Sequence, residues 1–274
     1  MRITLCFVGL ITVFCLGLAP AAAQTKTQPY NPDQRATGET YHVEFSANYF
    51  WASPTITFNV KSVDIPGSVI DGVQDLGFES ERFRDYRLVV RPAKKHKFLF
   101  TYNPIKYTGD TVLERDIVFN GETYHVGFPV QSELELKSRR IGYEYDFLYR
   151  SRGFVGFLVG VDLARVSASL QSPLLHGSMS ESTPAPLLGG IARVYPIKNT
   201  SITLRIQGFK LPESTGDRRY SLRIFDVDFY GTVNFTDNFG AQGGYRSFHV
   251  TYRVKEDSGD FLAKGYYLGA VVRF

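Results

Sequence analysis

Residues 225–235 read FDVDFYGTVNF. Phe225, Val227, Phe229, Gly231, Val233 and Phe235 fall on one parity, and Asp226, Asp228, Tyr230, Thr232 and Asn234 on the other. Alternation of this kind is the signature of a β-strand with one apolar and one polar face. The same pattern opens at 41–52, where Tyr41, Val43, Phe45, Ala47, Tyr49 and Trp51 oppose His42, Glu44, Ser46 and Asn48. Working outward from 225–235 adds segments near 84–92, 97–107, 132–149, 153–169, 186–197, 201–212, 221–235, 238–253 and 261–274. No convincing helical periodicity interrupts them. The chain is all-β, and no domain boundary divides the alternating part.

Three features separate this pattern from a soluble sandwich. Several segments are longer than the five or six residues usual in soluble strands and long enough to cross a bilayer at a tilt. The connections alternate in length: short at 92–95, 150–152, 198–200 and 236–237, long at 53–83, 108–131, 170–185, 213–220 and 254–260. Short turns at one end and long loops at the other are the habit of transmembrane barrels. The chain also ends on an amphipathic strand: Leu262, Tyr266, Leu268, Ala270, Val272 and Phe274 share one face. Tyr266, Leu268, Val272 and the terminal Phe274 resemble the signal that the barrel-assembly machinery reads. Because every backbone group must be paired in lipid and no helix is available, the expectation is a closed antiparallel up-and-down barrel. About ten strands are expected, with eight and twelve as the neighbouring counts. An even count puts both termini on the periplasmic side. Aromatics near strand ends supply interface girdles: Tyr41, Tyr49, Trp51, Tyr86, Tyr102, Tyr149, Phe154, Phe235 and Phe239.

The beginning of the chain fits that destination. Residues 1–23, MRITLCFVGLITVFCLGLAPAAA, have one positive charge, an apolar run and small residues at Ala21 and Ala23, as in a cleaved secretory signal. Residues 24–40, QTKTQPYNPDQRATGET, are polar and broken by proline, which predicts a flexible periplasmic tail. The barrel then occupies 41–274. The full chain of 274 residues has a net charge of +4, and loss of the signal would leave +3. Such a balance gives no support to nucleic-acid binding. Both cysteines, Cys6 and Cys15, precede residue 24, so a disulfide scaffold is excluded.

With the apolar parity facing lipid, the other parity lines the lumen. It holds Glu44, Asp85, Arg87, Arg91, Arg140, Glu144, Asp146, Asp162, Arg193, Arg205, Asp226, Asp228, Arg246 and Arg273. Acids and bases are equal in number, and every base on this list is an arginine. Balanced charge with bidentate bases favours a charge-paired, filled interior over a charged pore, although a narrow pore for small solutes is the alternative. Arg193 and Arg205 are expected to pair with Asp162, Asp226 and Asp228, which lie on strands nearby in chain order. Two registers conflict. Phe248, Val250 and Tyr252 are out of phase with Phe239, Ala241 and Tyr245, so a bulge is expected near Arg246 and Ser247. Leu134 and Leu136 are out of phase with Ile141 to Tyr149.

The loops carry two local signals. Asn120-Gly121, within DIVFNGETYHV (116–126), predicts an external hairpin. Asp64, Asp71 and Asp75 could suggest calcium, but their spacing matches no EF-hand and solvated acids are the expectation. For catalysis the best constellation is Ser247 with His249, two residues apart near the outer rim, with Glu256 or Asp257 as the acid. No glycine-flanked nucleophile, phosphate loop or HExxH accompanies it. A rim hydrolase is therefore the second alternative, and neither catalysis, a metal nor a cofactor is the expectation. Basic residues at the outer rim, Arg139, Arg165, Lys210, Arg218, Arg219, Arg223 and Arg253, could meet the phosphates of outer-membrane lipid and lipopolysaccharide.

The runs GSVIDGVQDLGFE (67–79), RLVVRPAKKHKFLFTY (87–102), RDIVFNGETYHVG (115–127) and RIGYEYDF (140–147) resemble a group of uncharacterised Gram-negative outer-membrane β-barrel proteins, of the OmpA-like and porin-like small barrels. The resemblance covers most of the chain after residue 40. It implies the barrel fold and an outer-membrane location, and it implies no substrate and no catalytic residue. The chain is accordingly expected to be an integral outer-membrane barrel with a structural or surface-binding role.

Overall fold

The computed structural model describes residues 36–59, 67–211, 220–254 and 257–274. The leader 1–23, most of the tail, Asp64, Arg218, Arg219 and Glu256 lie outside the described residues. Thirteen strands are present among them: β1 (Val43–Asn59), β2 (Val69–Asp71), β3 (Glu81–Ala93), β4 (His96–Val112), β5 (Ile117–Phe119), β6 (Glu122–Tyr124), β7 (Pro129–Arg150), β8 (Gly153–Gln171), β9 (His176–Ile197), β10 (Thr200–Leu211), β11 (Tyr220–Asn234), β12 (Phe239–Val254) and β13 (Asp257–Arg273). Ten of these pair antiparallel in chain order, and β13 pairs back onto β1 to close the barrel. The seam runs from Glu44–Arg273 to Asn59–Ser258, so no sheet edge is left along it. Each long alternating segment became one wall strand. Its apolar parity faces out and its polar parity faces in.

The connections at the end holding the termini are tight, as expected. The three described register shifts all sit beside those turns: between Val90 and Ala93, Tyr145 and Leu148, and Thr200 and Ile202. The far end differs from the sequence reading. Residues 53–59, 108–112, 129–131 and 176–185 are strand. The expected loop 170–185 is a hairpin in which Gln171 pairs with His176. Likewise β12 reaches Val254 and β13 begins at Asp257. The wall therefore continues past the apolar band. Segments such as HGSMSESTPA (176–185) show no apolar alternation because neither face meets lipid there.

The bulge expected near Arg246 is absent: β12 pairs without a shift from Phe239 to Val254. The apparent conflict has another cause. Phe248 keeps the inward parity of Arg246 and is buried, as are Leu134 and Leu136 on β7. The outer half of the lumen is apolar. Ile56, Phe58, Phe83, Ile105, Tyr107, Leu134, Leu136, Leu170, Phe248 and Phe261 pack there in one cluster. Two chain segments cover it. The first is 67–78, with Ile70, Leu76 and Phe78. The second is the β5–β6 hairpin, with Ile117, Phe119 and Tyr124. The hairpin turn is the expected one, with Asn120 and Gly121 both at positive φ, 51° and 83°. Instead of projecting away, it folds onto the barrel mouth: Tyr124 donates its hydroxyl to Leu170 O at 2.9 Å, and Val118 N donates to Ser68 Oγ at 2.9 Å.

Candidate functional site

Below the apolar layer the lumen is charged. All fourteen inward charges read from the sequence are buried, joined by two that the sequence reading missed, Lys97 and Glu39. Lys97 alternates with Phe98 and Phe100 on the polar parity of β4, so parity could have found it. Glu39 precedes β1 and gives no periodic signal. It enters the lumen because residues 36–39, assigned to the tail, are held against the barrel: Thr37 N donates to Lys198 O at 2.8 Å, and Gly38 N donates to Asp237 Oδ1 at 2.9 Å.

Four groups of charge can be traced inward from the short turns at the end holding the termini. At the bottom, Glu39 accepts from Arg193 at 2.9 Å, Arg91 donates to Glu39 O at 2.7 Å, and Arg273 bridges Glu44 at 2.6 Å and Asn234 at 2.6 Å. Beside them Lys97 lies 2.5 Å from Glu144 and 2.9 Å from Asp146, with Arg205 4.0 Å from Glu144. Higher up, Asp228 takes Arg87 at 2.8 Å and the Tyr267 hydroxyl at 2.8 Å. Just under the apolar layer, Arg140 joins Asp162 at 2.8 Å to Asp226. Arg246 bonds Asp226 at 2.8 and 3.0 Å and faces Asp85 at 3.5 Å. Arg140 and Arg246 lie over the ring of Phe248, 5.0 and 5.8 Å from its centroid, where charge gives way to apolar packing.

The expected pairing of Arg193 and Arg205 is corrected. Arg193 pairs with Glu39, and Arg205 faces Glu144, while Asp162 and Asp226 belong to Arg140 and Arg246. Arg205 is directly opposite Asp228 in register, yet its partner lies across the lumen on β7. A guanidinium on a long stem reaches across a narrow lumen as readily as to the next strand, so register alone does not choose its partner. Three girdle aromatics are also reassigned: Tyr149, whose hydroxyl accepts from Arg91 at 3.0 Å, packs against the inner cluster that holds the other two. Tyr41 and Phe154 are buried inside, Tyr41 beneath Arg91 and Arg273, and Phe154 beneath Lys97 at 3.8 Å. Tyr49, Trp51, Phe235 and Phe239 are exposed on the outside.

The rim pair Ser247 and His249 lies on the outward parity of β12. Among the described residues His249 bonds Asp260, through Nε2 at 2.9 Å, and no bond joins it to Ser247. Asp260 is the acid bonded to it among the described residues. The Thr251 hydroxyl approaches the same nitrogen at 3.4 Å. A nucleophile–base–acid relay needs the acid on one ring nitrogen and the hydroxyl on the other, and here both crowd Nε2. In the cap, Asp71 Oδ1 accepts from Val73 N and Gln74 N, and Asp75 pairs with Arg115 at 2.5 Å. Burial pushes the Asp75 carboxyl up, but its bonds to Arg115 and to the Asp71 amide outweigh that and hold it below the ordinary carboxylate range. These acids are occupied by amides and a guanidinium, and no cluster suited to a metal ion occurs among the described residues. At the C-terminus Tyr266, Leu268 and Phe274 are exposed on the outer face with Val272 between them.

No family model matches the chain. No curated protein matches it in sequence. Among solved structures, the outer membrane protease OmpT of Escherichia coli superposes at a TM-score of 0.54 with 10% identity, over 89% of this chain and 100% of that one. The attachment invasion locus protein Ail of Yersinia pestis aligns at 0.36 and 10% identity, over 85% of this chain and 99% of its own. The toluene transporter TodX of Pseudomonas putida aligns at 0.35 and 8% identity, over 85% and 90%. At 10% identity the likeness to OmpT concerns the fold alone, and residue roles do not transfer. Together with the closed ten-strand wall, it shows that this chain folds as an outer-membrane β-barrel.

Proposed function

We propose that this protein is an outer-membrane barrel closed to solutes, with a structural or surface-binding role, exported with cleavage of residues 1–23. The observation that carries the reading is the content of the lumen. Eight acids and eight bases are buried along its periplasmic part, and an apolar core fills its outer part beneath a two-segment cap. Transmembrane barrels that conduct keep a polar, water-filled interior through their whole length, and ten strands enclose far less space than the 16–18 of diffusion porins. An ion crossing this lumen would have to displace both an ion-pair network and a layer of Phe, Leu and Ile.

The test is conductance. The purified full chain, refolded and inserted in a planar bilayer, is expected to give no steady channel current. A stable unitary conductance would replace this reading with the narrow-pore one. The crowding of Asp260 and Thr251 on one nitrogen of His249 gives a rim hydrolase no comparable support.

A further inference from the structure

The outward face has one feature that a purely lipid-facing wall does not need. Lys137 on β7 and Arg165 on β8 are directly opposite in register, both on the outward parity. Arg139 is two residues along β7 on the same face. Like charges directly opposite on neighbouring strands repel, and Glu135 offsets only Lys137, leaving Arg139 and Arg165 with no carboxylate bonded to them among the described contacts. The three cations line a cleft of about 330 Å³ with Leu163, Ser182 and Pro184. Each is positioned. Arg165 Nε donates to Ser182 Oγ at 3.0 Å, Arg139 stacks over the Tyr102 ring at 5.9 Å, and Lys137 is partly neutralised by Glu135 at 2.6 Å.

Height on the wall identifies the ligand. Below the cleft the outward residues are Ile141, Val159 and Val161, all exposed as a lipid-facing band should be. Arg139 and Arg165 are the first charges above that band, at the level of outer-leaflet headgroups. The pairing recurs one strand further round the wall, where Lys210 and Arg223 on β10 and β11 are also opposite and outward. We propose that Lys137, Arg139 and Arg165 form a binding site for a phosphorylated lipid of the outer leaflet, with the phosphate held among the cations and an acyl chain against Leu163. This deepens the surface-binding half of the reading above and rests on the outward parity facing lipid.

The probe is lipid A bisphosphate, compared with the same glycolipid after enzymatic removal of its phosphates. Each is added to the full chain in neutral detergent, and retained lipid is counted by native mass spectrometry. The expected result is retention of the bisphosphate and little of the dephosphorylated form, a comparison that needs no variant. Removing one cation, as in Arg165→Ala or Lys137→Ala, is expected to lower the bound fraction about fivefold. Lys94→Ala, at the opposite end, should leave it unchanged. Equal retention of the two lipids, or equal loss in Lys94→Ala and Arg165→Ala, overturns the site. Heat-modifiable migration checks that each variant is folded. A channel current would defeat the closed-lumen reading without touching the phosphate comparison, so the two failures are distinguishable.

Discussion

Arg140 shows what a single side chain does here. It is buried, and its guanidinium ties Asp162 on β8 to Asp226 on β11, with Ser138 completing the shell of Asp162 at 2.8 Å. Removing it leaves Asp162 buried without a counter-charge while Asp226 keeps Arg246, and a stranded buried charge in dry protein costs about 3–5 kcal/mol. Arg140→Ala is therefore expected to lower the temperature at which the folded, unboiled gel band converts to the unfolded one. Arg84→Ala, whose side chain lies outside over Tyr49, should leave it in place. Arg140→Lys should recover less than half the loss, because an ammonium cannot fork between two carboxylates. Unchanged melting in Arg140→Ala would mean that the charged layer is solvated. This scale was half legible in the sequence. Parity shows which charges share the lumen, because a strand puts every second residue on one face. It does not show who pairs with whom, because stems as long as arginine's reach across the barrel as easily as along it.

At the scale of elements the cap is the informative part. Segment 67–78 is held to the chain before β5 by Arg115, which donates to Asp75 at 2.8 and 2.5 Å and to Val69 O at 2.5 Å. It also lies so close to β4 that a Cβ on Gly109 would strike the Leu76 carbonyl. Gly109→Ala is expected to lift the cap while leaving the barrel closed, read as faster amide exchange confined to 67–78. The clasp also carries a pH dependence. The Asp75 carboxyl is held below its ordinary range when folded, so its contribution is complete above the unfolded value near 4 and is lost as pH falls through the lower folded value. Protection of 67–78 should thus be constant from neutral pH down to about 4 and fall below it. Asp75→Asn should remove that step and exchange faster at neutral pH; a step that survives in Asp75→Asn would assign it to another group. The sequence announced this region only in part. The Asn120-Gly121 turn is read locally, whereas the placement of the hairpin depends on Phe58, Leu170 and Gly177 from strands far away in the chain. The long outer strands were hidden for a related reason: there the polarity inverts, as in β7, where Val130, Leu134 and Leu136 turn inward and Gln131, Glu133 and Glu135 outward, or fades, as in 176–185.

For the whole molecule, closure is the deciding property, and the seam is where it can fail. Along β1 and β13 the wall is continuous, and the last residue completes it: Phe274 O accepts from His42 N at 2.7 Å and Val43 N at 3.0 Å, while Phe274 N donates to Val43 O at 2.8 Å. The Phe274 ring itself makes little use of the barrel, being 71% exposed on the outer face. Backbone and side chain therefore do separable work. Deleting Phe274 removes three seam bonds, worth about 1 kcal/mol each, whereas Phe274→Ala keeps them and removes only the outward ring. In detergent the refolded deletion variant should melt earlier than the parent, and Phe274→Ala should melt with the parent. If the aromatic at 274, on the lipid-facing parity, is the assembly signal that the sequence suggests, both variants are expected to reach the outer membrane in reduced amount. Normal outer-membrane levels for Phe274→Ala would show that the ring is not an assembly signal. A deletion variant that melts with the parent would show that the seam closes without its last residue.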